Sequence, residues 1–123
     1  MAVVDGSALA FRELTGRFSA DPLPTGAAPC SMRVVRIGPG PRTPHRHPHS
    51  VELMYVVAGT GTTWEDDTPS PVRPGDVVLV PQGVPHATVA DGPDELLLVC
   101  FFPHPDLAAN IEELDGPVRE QPA

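Results

Sequence analysis

The sequence predicts an all-β domain of many short strands closed into a sandwich or barrel, and three observations carry that expectation. The 123 residues include 17 prolines and 11 glycines, which fall between the apolar runs and do not replace them. Such punctuation breaks helices and ends strands, which disfavours a helical bundle. The apolar runs are short, β-branched and bounded by turn signals. With 41% hydrophobic residues the chain can build one core, and its length suits a single domain.

Residues 1–30 read as an N-terminal extension with scattered apolar points at Phe11, Leu14 and Phe18 and a loop from Asp21 to Gly26. Residues 31–104 carry the β pattern. Met32 to Ile37 is a β-branched strand ended by Gly38-Pro39-Gly40-Pro41. Val51 to Ala58 is the next, stopped at Gly59-Thr60-Gly61, and Thr62 to Trp64 precedes an acidic turn at Glu65-Asp66-Asp67. After the turn Arg73-Pro74-Gly75-Asp76 come strands at Val77 to Val80, His86 to Ala90 and Glu95 to Phe102. Residues 105–123 read as one short helix and a tail, with Leu107, Ile111 and Leu114 on one helical face.

The composition excludes several classes of function. The net charge is −8 and all eight cationic side chains are arginine, so Schiff-base chemistry on a lysine is ruled out. The acidic balance argues against a nucleic-acid partner, which needs clustered positive charge. The longest apolar run, Glu95 to Phe102, is far short of the roughly 20 residues that span a bilayer, so no membrane association is expected. The first 20 residues lack the apolar stretch of a signal peptide. Two cysteines, Cys30 and Cys100, sit in no metal-binding or redox spacing, and a cytoplasmic protein is expected.

The histidines point to a metal site. His45 and His47 are two apart, so on a strand they share a face. Glu52 has the opposite parity and can join them only if Pro48-His49-Ser50 turns the chain. His86 follows the turn Pro81-Gln82-Gly83-Val84-Pro85. Three imidazoles and one carboxylate suit a borderline divalent ion, and an octahedral one would keep two adjacent positions for substrate or dioxygen. Glu52 interrupts an otherwise apolar strand, and a carboxylate there is costly unless paired or coordinated.

These residues fall in two spaced motifs. The first is His45-x-His47, four residues, Glu52, six residues and Gly59; the second is Gly75, five residues, Pro81-x-Gly83, two residues and His86. Together they resemble the cupin family from about Gly38 to Phe102. Four residues, not the usual five, separate Gly40 from His45, and the family's Asn after the last histidine is Ala90 here. The resemblance implies a cupin-type double-stranded β-helix, a jelly-roll barrel, with one metal ion on His45, His47, Glu52 and His86. Iron is the first expectation, with Mn, Ni, Co, Cu and Zn as alternatives. It also implies a homodimer, with Phe11, Leu14 and Phe18 available for that contact.

Other positions follow from parity. Met54 and Val56 share the face of Glu52, and Thr88 and Ala90 share that of His86, so these four are expected to line a weakly polar substrate pocket. One of Arg33 and Arg36 should enter the barrel and meet an anionic group; their opposite parity does not say which. Tyr55 should pack away from the metal, and Trp64 suits a dimer contact or a ligand equally. His49 is open to two readings: it replaces His45 in a His47-x-His49 pair, or it sits at the pocket mouth as a candidate general acid or base. His104 reads as a loop residue. The functions that fit are an Fe(II) dioxygenase acting on a small molecule, a non-redox isomerase, cyclase or lyase using the same ion as a Lewis acid, and a non-enzymatic binding or sensor module.

Overall fold

Alternation of apolar and polar residues drives the architecture. In the computed structural model, which describes residues 3–23 and 25–122, successive side chains of the long strands point alternately inward and outward. The strands in chain order are β1 (Arg12–Leu14), β2 (Arg17–Ala20), β3 (Ser31–Ile37), β4 (His45–Arg46), β5 (Glu52–Ala58) and β6 (Gly61–Glu65). They continue with β7 (Thr68–Val72), β8 (Val77–Val80), β9 (His86–Ala90), β10 (Leu96–Phe102) and β11 (Glu112–Glu113). One sheet has the order β1-β2-β3-β10-β5-β8, the other β11-β4-β9-β6-β7, with antiparallel pairing throughout.

The inward residues of both sheets meet in one core. Val35 and Ile37 of β3, Met54 and Val56 of β5, Leu96, Leu98, Cys100 and Phe102 of β10, and Val72 and Ala90 from the opposite sheet form its apolar part. Two glycines let the sheets close. Gly59 has φ +82°, and a Cβ there would run into the backbone oxygen of Glu95. A Cβ at Gly61 would meet the backbone oxygen of Val89 on the neighbouring strand.

The fold is the all-β barrel expected, and three segments depart from the reading of local pattern. The N-terminal extension supplies the hairpin β1–β2, which lengthens the six-stranded sheet through β3. β7, a segment to which local pattern assigned no element, contains Pro69 and Pro71; the strand lies at a sheet edge, where a missing N–H is tolerated. The C-terminal helix is a single 3₁₀ turn at Leu107–Ala109, capped by Asp106. The chain then extends into β11, which pairs with β4. No helix among the described residues is long and apolar enough to cross a membrane.

Candidate metal centre

The two sheets bring the motif residues together from opposite sides. His45 on β4 pairs directly with His86 on β9 in the five-stranded sheet, while Glu52 opens β5 in the other. His47 follows β4 and is anchored through its backbone: the Gly83 N–H donates to its carbonyl at 2.9 Å. Gln82 Nε2 likewise donates to Pro48 O at 2.9 Å. The Pro81-Gln82-Gly83 turn of the second motif thus holds the His47–Pro48 segment of the first. Gly83, at φ +78°, adopts the left-handed geometry this turn requires.

His45, His47, Glu52 and His86 are all buried and offer ligand atoms within 4.8 Å of one another. Glu52 Oε1 lies 2.8 Å from His86 Nε2 and 3.3 Å from His47 Nε2. The other ring nitrogens face backbone carbonyls, His47 Nδ1 at 2.8 Å from Asn110 O and His86 Nδ1 at 3.0 Å from Val84 O. A carbonyl only accepts, so Nδ1 of each ring carries a proton and Nε2 is the atom turned to Glu52. Nε2 meets that carboxylate as an N–H donor or, in a neutral ring, through a cation held between them. His45 Nδ1 and His47 Nε2 are also buried without a hydrogen-bond partner among the described residues. A divalent ion fits this donor set.

Electrostatics agree with the geometry. Burial alone would push the Glu52 carboxyl up, but hydrogen bonds and charge from His47 and His86 hold it well below the ordinary carboxylate range. Burial, and next the neighbouring His86, push the His45 imidazole well below its usual value, so it is neutral as a ligand must be. Burial and the nearby Glu52 carboxylate push the Cys100 thiol well up, so Cys100 is an inert thiol in the wall.

The centre opens into a cavity of about 290 Å³. Met54 and Thr88 line it, whereas Val56 and Ala90 pack in the apolar core, because the inward face of each strand runs on past the cavity. Thr88 Oγ1 pairs with Thr63 Oγ1 at 2.9 Å. The cavity lining is mainly apolar, and Arg12, Arg17, Arg33 and Arg42 also reach its wall. The signal missed was partly the N-terminal hairpin, which delivers Arg12 and Arg17.

Of the two arginines on β3, Arg33 faces the cavity, with Asp21 3.2 Å from its Nη1. Arg36 faces out, bonded to Glu95 and flanked by the rings of Phe11 and Phe18. Leu14 lines the cavity. His49 is exposed and stands outside the four-residue cluster, its ring stacked on His104 at 5.9 Å. Tyr55 points outward. Trp64 is covered by the tail, with the Arg119 guanidinium 4.8 Å from its ring centre and its Nε1–H donating to Glu120 O.

Asn110 is the residue that pattern reading missed. It is fully buried, its carbonyl takes the His47 proton, its Oδ1 accepts from His49 N–H at 2.7 Å and its Nδ2 donates to Ser50 Oγ at 2.8 Å. It therefore clamps the turn between His47 and Glu52 from the tail.

Comparison with known proteins agrees with this architecture. The family model described as "Cupin domain" matches residues 33–102. The chain is 38% identical over 100 residues to Protein SchB of Streptomyces halstedii, covering 76% of this chain and 72% of that protein. It is 33% identical over 81 residues to the auxin-binding protein ABP19b of Prunus persica, covering 61% of this chain and 39% of the relative. Among solved structures, the oxalate decarboxylase formate complex of Lactobacillus farciminis superposes with a TM-score of 0.72 at 23% identity, covering 88% of this chain. The chain spans about a third (34%) of that enzyme's length, and at this identity the likeness is one of fold. On the match across residues 33–102, the chain belongs to the cupin domain family.

Proposed function

We propose that this protein is a metal-dependent enzyme acting on a small molecule, with an Fe(II) dioxygenase as the leading reading. One observation carries the proposal: Nε2 of His47 and of His86, each with its proton fixed on Nδ1, converge on Glu52 Oε1 beside a cavity large enough for a substrate. Bound there, Fe(II) would supply dioxygen chemistry, and any of the divalent ions would supply Lewis acidity. The chain's own part is to hold its ligands in one protonation state and to exclude bulk water from Glu52. Its barrel walls then orient the substrate through Met54, Thr88 and Arg33. An oxygen electrode with the Fe(II)-loaded protein and a panel of enols and thiols tests this; absence of oxygen uptake across the panel removes the dioxygenase.

A second reading, a non-redox isomerase, cyclase or lyase, draws support from the cationic wall, which suits an anion developing on an enolising substrate. It requires turnover without oxygen and with Zn(II) or Ni(II). The auxin-binding relative supports a third, a binding or sensor module, which detection of any product would remove. His49 as acid or base has no support from its exposed position away from the cluster. A cytoplasmic location suits the two free thiols, Cys30 and Cys100. A homodimer is also part of the proposal. The outer face of the six-stranded sheet presents Leu53, Tyr55, Val57, Val77 and Leu79 to solvent, a contiguous apolar surface suited to a second copy.

A further inference from the structure

The tail grips the metal centre from outside the cavity. β4, which carries His45, meets β9 at a single register pair, His45 with His86. Its other edge belongs to the tail. Glu112 and Glu113 pair with Arg46 and His45, and the Leu114 N–H donates to Pro44 O at 3.0 Å. Further along, Arg42 and Arg119 exchange both backbone bonds, at 2.8 and 2.7 Å. The strand that brings in the first histidine therefore depends on the tail as much as on the barrel.

Between those two anchors the tail is loosely laid. It takes five steps from Leu114 to Arg119 where the facing segment takes two, from Pro44 to Arg42. The excess bows outward: Val118 is 58% exposed, and a hollow of about 410 Å³ lies beneath, lined by Pro44, Trp64, Ala87, Leu114 and Pro117. A segment with so little packing opens easily. Trp64 closes it. This residue of β6 pairs with Ala87 of β9, the neighbour of His86. The Arg119 guanidinium lies 4.8 Å from its ring centre and reaches Asp67 Oδ1 at 2.7 Å, while Trp64 Nε1–H donates to Glu120 O at 3.0 Å. Each contact is weak alone, since Asp67 is exposed and salt screens its pair. Together they form a clasp that can open while the barrel stays folded.

We infer that residues 110–120 are a latch on the metal centre, closed by Arg119 on Trp64, and that closing it and filling the site with a divalent ion favour one another. The inference rests on the metal reading and deepens it. An ion held by His45 and His47 fixes β4, the edge on which the tail pairs. A seated tail in turn fixes β4 and, through Asn110, the ring of His47. Such coupling is reciprocal: the factor by which the ion disfavours opening is the factor by which opening weakens the ion. Neither Trp64 nor Arg119 lines the substrate cavity, so both are positioning residues.

The test is trypsin at low concentration on the intact, folded protein. No lysine is present, so cuts fall only at arginines, and the cut after Arg119 needs that side chain off Trp64. When reclosing outpaces cutting, the rate follows the population of the open form. Followed by mass spectrometry, saturating Co(II) should slow this cut at least about fivefold in the wild type, and less than about twofold in E52Q at the same concentration. W64A should be cut faster at Arg119 and, by calorimetry, bind Co(II) about fivefold or more weakly, with W64F between it and the wild type. A tail of merely structural value would speed the cut in W64A and leave Co(II) affinity unchanged. That result overturns the inference, as does a wild-type cut indifferent to bound Co(II) or slowed equally in E52Q. Should W64A fail to fold, hydrogen exchange over residues 114–120 of the wild type decides: slowing by Co(II) supports the latch, and no change overturns it. Co(II) bound without these effects refutes the latch alone, whereas a wild type that binds no Co(II) removes the metal reading and the latch with it.

Discussion

His47 and Asn110, 63 residues apart, are joined by a 2.8 Å contact between the imidazole Nδ1 and the backbone carbonyl. The Asn110 side chain meanwhile takes the His49 N–H and donates to Ser50, so one tail residue fixes both the ring and the turn that follows it. Asn110→Ala keeps that carbonyl but removes both side-chain bonds to the turn, so it should lower Co(II) affinity by about 10-fold, through loss of positioning. It should also cost about 1–3 kcal/mol of stability, from the buried groups left unpaired. Calorimetric titration with Co(II) and urea denaturation measure the two effects. Unchanged affinity in a folded variant would remove the positioning role.

Glu52 faces two Nε2 atoms, and its replacement removes the one anionic donor of the cluster. Glu52→Gln should reduce Co(II) affinity by more than the roughly 10–100-fold typical of outer-shell changes. The wild type should gain about 2.7 kcal/mol of stability at 100 times its dissociation constant for the ion, and the variant far less. Thermal melts with and without Co(II) read this directly.

The His45 imidazole is neutral in the fold because burial pushes it well below 6.5. Once unfolded it takes up a proton below about pH 6.5, so there the unfolded state binds more protons than the native one. Stability of the metal-stripped protein should accordingly fall as pH drops through 6.5 and stay flat above it. Glu52, with its carboxyl depressed, adds a second loss only from about pH 4.5 downward. His45→Gln should flatten the first of these, as followed by urea midpoints between pH 5 and 8.

Gly59 combines φ +82° with a backbone oxygen of Glu95 where a Cβ would sit. Gly59→Ala should cost roughly 2–4 kcal/mol, a large value for a one-carbon change, because neither the dihedral nor the neighbouring strand can yield. Urea denaturation checks it; a loss below about 1 kcal/mol would mean the β5–β10 pairing relaxes.

The exposed apolar face of β5 and β8 has Val77 at 68% and Leu79 at 58% exposure, which favours burial against a second copy. Leu79→Arg should convert a dimer to monomer without loss of fold. Light scattering at two concentrations decides, and a monomeric wild type refutes the homodimer.

How much of this was legible in the sequence depends on the range of each signal. Strands such as Val77–Val80 and His86–Ala90 were readable because alternation or β-branching is local. The four residues of the buried cluster were legible through the two spaced motifs that resemble the cupin family, with Pro48 and Gly83 marking the turns. Asn110 was not, since a lone polar residue in a tail carries no periodicity and gains meaning only when β11 pairs with β4. The charge of the cavity was hidden for the same reason: Arg17 and Arg42 are scattered in sequence and meet only when the hairpin pairs beside β3 and its turn packs on Arg42. The tail misled in the other direction, because Leu107, Ile111 and Leu114 have helical spacing while Pro105, the Asp106 cap and the pairing of Glu112 limit it to one turn.

Much of the cavity wall comes from outside the stretch shared across the family. Arg12, Leu14 and Arg17 precede residue 33, and Leu107, Ile111 and Glu113 follow residue 102. The stretch matched by the family model thus holds the His-His-Glu-His cluster, and the segments on either side of it build a collar around the cavity. Relatives with an identical socket and divergent ends should part ways in substrate, and grafting the ends of one onto another should carry the preference across.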